Sequence, residues 1–197
     1  MGDTDSMLGS IEDYDQELRA YLAIEQGDYE EARRLLEPVA SRGSIYSLVS
    51  LGALYERGDL ESSDLRNAIF YYDCAASHGS DEAQRRLGQI WMDLGEDEKA
   101  RTAFQYGAEA GNVSCMYWLG KQMLEGRGGA VDVCRGVEWL DTAAAKGHLF
   151  AKSYLLRRES RYSPSLFRRL LLWIRIFKIA LQAGKAAAAD PDVDILR

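Results

Sequence analysis

Two histidines and three cysteines are the residues of this 197-residue chain best suited to holding a metal ion. A zinc site needs such ligands to converge, usually at short fixed spacings. His78, His148, Cys74, Cys115 and Cys134 have no spacing of that kind. Each histidine flanks a glycine instead, Gly79 or Gly147, as a polar residue at a helix end would. Three cysteines are not a disulfide framework, because one is always left unpaired. The stretch Gly126-Arg127-Gly128-Gly129 lacks both the Lys-Ser/Thr and the preceding strand of a phosphate-binding loop. It reads as a plain loop, where a side chain at Gly128 should be tolerated better than one at Gly79. The 31 Asp and Glu are spread along the chain, and nothing pairs two of them for acid–base work. We therefore expect no catalytic residue, no cofactor, no metal and no enzymatic activity.

The elements that position these residues are set by an internal repeat. Gly43, Gly79, Gly111 and Gly147 stand 36, 32 and 36 residues apart. Eleven residues before them come Ala32, Ala68, Ala100 and Gly136, and seven before come Leu36, Tyr72, Phe104 and Leu140. Four residues after are Ser47, Ala83, Cys115 and Ala151, and eight after are Leu51, Leu87, Leu119 and Leu155. Gly52, Gly88 and Gly120 follow the first three of those leucines, whereas Leu156 breaks the rule in the last copy. Small and apolar residues at these intervals follow the helical period. The repeat glycine is the residue expected at a left-handed helix end. The second set of glycines lowers helix propensity by about 1 kcal/mol each, which implies helices too close for a side chain there. Self-similarity at this period marks stacked helical hairpins.

The pattern, clearest in Ala68, Tyr72, Ala76, Gly79, Ala83, Leu87 and Gly88, resembles the Sel1-like repeat, a relative of the tetratricopeptide repeat. The resemblance implies an all-α, right-handed α-solenoid of about four helix-turn-helix repeats. It also implies a non-enzymatic scaffold or adaptor that binds a peptide or protein on its concave face, in bacterial signalling, envelope or complex assembly. The columns nine and five before each repeat glycine should lie off the buried stripe, on that face. Arg34, Phe70, Cys74, Tyr106 and Glu138 are the candidate binding residues there.

Both ends read as half-repeats. Residues 1–10 are expected to be a disordered tail, with Ser10 to Asp13 capping a helix that runs to about Gln26 and stands in for the second helix of a missing earlier unit. The repeats should occupy 11–162, a basic amphipathic capping helix 163–189 opened by Ser163-Pro164, and a frayed tail 190–197. In the capping helix, Trp173, Phe177 and Gly184 fall on the columns of a fifth unit. The stripe Leu166, Leu170, Trp173, Ile174, Phe177 and Leu181 should then be buried. That leaves Leu171, Leu172, Ile176 and Ile179 as an apolar excess facing outward.

Charge is uneven as well. The net charge is −7, yet residues 146–185 carry ten Lys/Arg against one acid, Glu159. Three readings of the capping helix stay open: a plain cap, a cap that binds a protein or a second copy, and a helix lying on the inner face of a membrane. The last is the alternative function, a peripheral membrane factor. An acidic body without interleaved aromatics argues against nucleic acid. The acidic N-terminus lacks the basic and apolar regions of a signal peptide, so a cytoplasmic location is expected.

Overall fold

The computed structural model describes residues 2–60, 64–162 and 165–189. Among them the chain forms ten helices and no strand. These are α1 (Gly2–Glu25), α2 (Tyr29–Ser41), α3 (Ile45–Arg57), α4 (Leu65–Ser77), α5 (Asp81–Asp93), α6 (Asp97–Glu109), α7 (Val113–Glu125), α8 (Val133–Ala145), α9 (Leu149–Tyr162) and α10 (Leu166–Ala189). They gather into two compact units, residues 1–90 and 91–197. Successive helices pack against one another from α1 to α4 in the first unit and from α6 to α10 in the second, the fold class that the repeat predicts.

The repeat columns are the core. Leu36, Tyr72, Phe104 and Leu140 are wholly buried, as are Ser47, Ala83, Cys115 and Ala151. All four repeat glycines take φ between 88° and 102°, a region that side chains with a Cβ rarely enter. Each sits just past the end of a first helix and turns the chain into the second.

Close approach explains the other glycine column. A Cβ on Gly52 would lie 2.7 Å from the Tyr72 ring, within the first unit. One on Gly120 would lie 2.7 Å from the Gly136 carbonyl oxygen and 2.9 Å from Leu140, within the second. The tight side of each joint is thus the second helix of one repeat against the first helix of the next. Tyr72 fills that joint and donates its phenol proton to Glu56, 2.6 Å away. Burial, reinforced by this bond, raises the Tyr72 pKa and keeps the phenol neutral.

The residue after each repeat glycine caps the second helix. The hydroxyls of Ser44 and Ser80 accept from the amides of Ser47 and Ala83, and Asn112 accepts from Cys115. In the last repeat His148 does this work, its Nδ1 accepting from the Ala151 amide at 3.2 Å. Its ring stacks on Tyr117 with centroids 4.8 Å apart, and burial lowers its pKa. His78 ends α4, its Nδ1 2.8 Å from the Cys74 carbonyl. Both histidines are helix-end residues, as their positions indicated.

Two expectations are corrected. α1 begins at Gly2, so residues 2–10 are helix and Ser10 lies inside it. The sequence there has no proline to stop a helix, so the helix need not wait for Ser10. The loop at Gly128 is not permissive either. A Cβ there would meet the Asp97 carbonyl oxygen at 2.2 Å, at a φ of 68°. Arg127 holds the loop down, its guanidinium 2.7 Å from Asp97, and Arg101 reaches the Ala130 carbonyl. The loop is strapped over the start of α6. Ser163 and Pro164, and the frayed tail at 190–197, lie outside the described residues. Ser165 takes the capping place, its hydroxyl accepting weakly from the Arg168 amide.

Candidate functional site

The columns assigned to the binding face do lie off the core. Arg34, Phe70 and Glu138 are exposed nine residues before their glycines, as is Tyr106 five before, and Cys74 is half-buried. Phe70 and Tyr106 are 60% and 61% exposed, too open to be core residues.

Within the first unit, Phe70 leads an aromatic row. Its ring meets Tyr71 edge-on at 5.3 Å, and Tyr71 stacks on Tyr55 at 5.5 Å. Tyr55 is buried, so the row runs from the core to the surface and holds Phe70 over a firm base. Arg34, on α2, is paired with Glu31 at 2.6 Å and stays in solvent.

Within the second unit, the same face of the first helices makes a groove of about 460 Å³. Gln105 and Glu109 of α6, Met123 of α7, and Arg135, Glu138, Trp139 and Thr142 of α8 line it. Trp139 packs against the core on one side, leaving an apolar floor between amide, carboxylate and guanidinium groups. Such a surface can hold an extended peptide, with hydrogen bonds to its backbone and a side chain on the indole. Glu138, singled out from the sequence, is part of it; Trp139 and Arg135 were not, because Trp139 reads as a core residue in the repeat.

A second cleft of about 500 Å³ lies farther along the same unit, lined by Tyr154, Arg157, Arg158 and Arg161 of α9 together with Leu124 and Glu125 of α7. A smaller one of about 200 Å³ adjoins it at Tyr154 and Arg157 and is closed by Ile179 and Ala180 of α10. Burial raises the pKa of Tyr117, which lines the smaller cleft, and keeps its phenol neutral. Among the described residues no cluster of three or more His, Cys, Asp or Glu could hold a metal.

The capping helix reverses its predicted orientation. Leu172 and Ile176 are 3% and 4% exposed, and Ile179 is half-buried. Of the four residues assigned to the outer face, only Leu171 is exposed. The stripe assigned to the inside faces out: Trp173 and Phe177 are 59% and 65% exposed, joined by Leu170, Ile174 and Leu181. The reason lies in the joint. In the α7–α8 joint the glycine nine residues after the repeat glycine, Gly120, meets the glycine eleven before the next, Gly136. Here those places hold Leu156 and Trp173, two large side chains where the spacing leaves room for none. The helix turns by one residue, roughly 100°, and seats Leu172 and Ile176 instead. Gly184 ends nothing, since α10 runs on to Ala189.

α1 carries a matching surface that the sequence reading missed. Ile11, Tyr14, Leu18, Tyr21 and Leu22 are all exposed, while Ala20 and Ala23 pack inward. Their helical spacing was readable, but in a helix assigned to capping it drew no notice.

The model of the Sel1 repeat matches residues 21–44, 45–80 and 113–148. Among solved structures, a Sel1 repeat protein from Oxalobacter formigenes is similar in fold, with a TM-score of 0.72 and 21% identity over 84% of this chain and 70% of that one. A protective antigen of uropathogenic Escherichia coli strains, displaying an SLR fold, is similar with a TM-score of 0.68 and 24% identity. That match covers 83% of this chain and 38% of the antigen. No curated protein matches the chain.

Proposed function

Since the chain belongs to the Sel1-like repeat proteins, which are generally protein-interaction scaffolds, we propose that it is a non-enzymatic adaptor holding a peptide or protein on the exposed face of its first helices. The groove in the second unit supports this reading above all, because it sets Trp139 among Gln105, Arg135, Glu138 and Thr142 on that face. Exposed Phe70 and Tyr106 add aromatic anchors of the kind that dominate protein interfaces. The mixture of charges favours a peptide carrying both signs around an apolar residue. We place the adaptor in the cytoplasm, serving a signalling, envelope or assembly complex.

The test is capture of partners from cells by the tagged full chain, with the bound proteins identified by mass spectrometry. Glu138→Arg and Tyr106→Ala should each cut recovery of a specific partner several-fold while melting temperature stays unchanged. Undiminished recovery with both variants would move binding off this face.

A further inference from the structure

The two terminal helices are incomplete in complementary ways. α1 stands where a second helix would follow a first one, and among the described residues no helix precedes it. α10 stands where a first helix would precede a second, and among the described residues no helix follows it. Stacked repeats bury each helix between neighbours, and a solenoid end ordinarily turns a polar face to water. Both outer faces here are apolar. Tyr14 is 68% exposed on α1, with Ile11, Leu18 and Leu22 beside it, and Trp173 and Phe177 stand out from α10. Contiguous apolar surface of this kind marks a contact.

Charge says which surfaces meet. α1 carries seven acids, among them Glu12, Asp15 and Glu25, against the single base Arg19. α10 carries five bases and no acid, with Arg175, Lys178 and Lys185 all exposed. Like would repel like: α10 against α10 would oppose bases to bases, and α1 against α1 acids to acids. Only α10 of one copy on α1 of another brings apolar stripe to apolar stripe with opposite charges around it.

We propose that the outer face of α10 is an assembly surface whose occupant is α1 of a second copy of this chain. The pair forms one helical hairpin divided between two molecules. The contact is head-to-tail, so a pair still has one free α1 face on one copy and one free α10 face on the other, and the assembly grows until it closes into a ring or continues as a filament.

The experiment uses the full-length chain in analytical ultracentrifugation over a range of concentration and salt. The wild type should exceed monomer mass with rising concentration, and salt should weaken the association. Tyr14→Lys spoils α1, and Phe177→Ser spoils α10. Both sites are surface positions, and circular dichroism melts should match the wild type. Each variant alone should stay monomeric, its apparent dissociation constant raised at least tenfold. Their equimolar mixture should form a species of twice the monomer mass and nothing larger, since one intact α10 meets one intact α1. A Tyr14→Lys variant that still associates would mean α10 pairs with itself and overturn the proposal. A wild type that stays monomeric would overturn it too, and flotation with anionic phosphatidylserine vesicles, undisturbed by Tyr14→Lys, would then assign the α10 face to lipid.

Discussion

The joints α7–α8 and α9–α10 lie in the same unit and join a second helix to a following helix in the same manner, yet they pack differently. In the first, Gly120 and Gly136 let two backbones meet, and Leu140 is wholly buried on the predicted stripe. In the second, Leu156 and Trp173 occupy those two places, and the stripe turns outward. A repeat register is thus a property of pairs. The residue facing a column decides whether the column can be buried, and one changed partner releases a whole helix face for other use.

The comparison can be broken from the interior side. Gly120→Leu introduces at the tight joint the residue found at 156, against a carbonyl 2.7 Å from the new Cβ. The expected loss is the largest here, on the order of 3–5 kcal/mol, with a non-native or separated α8. Melting temperature and urea midpoint measure it. A loss below about 1 kcal/mol would mean that the glycine column is not what sets the register. Gly128→Val should behave similarly, and worse than Gly79→Val, where nothing lies within 4 Å of a new Cβ and only the backbone conformation resists.

From the terminal side, adjacent residues of α10 should behave as opposites. Ile176→Ser removes a buried side chain and should cost about 1–3 kcal/mol, whereas Phe177→Ser removes an exposed one and should leave monomer stability within about 0.5 kcal/mol. Urea unfolding at low protein concentration separates these effects from any loss of association. The reverse order would restore the register read from the sequence.

What was legible follows the same line. The columns at Leu36, Tyr72, Phe104 and Leu140 were readable because four copies state them and each has a fitting partner. The exposure of Phe70 and Tyr106 followed from the same period. Leu172 and Ile176 were misplaced because the fifth copy has no further copies to check it, and the sign of trouble, Leu156, lies on the other helix. Gly128 was misjudged because its contact is with the Asp97 backbone, thirty-one positions earlier, which no local pattern announces. The groove around Trp139 was hidden by its own column: a residue can sit in the core stripe and still present an edge to a cleft.

The last repeat also differs from the others in its cap, and pH should expose that difference with the smallest effect of all. Ser44, Ser80 and Asn112 accept a helix amide with groups that do not titrate, whereas His148 accepts with a ring nitrogen that must be unprotonated to do so. Burial lowers its pKa below the ordinary value near 6.5, so the unfolded chain binds a proton more readily than the folded one. Its contribution is therefore complete above about pH 6.5 and is lost as pH falls through the lowered folded value. His148→Asn keeps an accepting oxygen at the cap and removes the titration. Urea midpoints measured from pH 7 downward should fall less steeply for this variant than for the wild type, and amide exchange in the first turn of α9 should quicken with acid only in the wild type. Equal slopes, with no change confined to α9, would show that His148 caps the helix as indifferently to pH as the serines do.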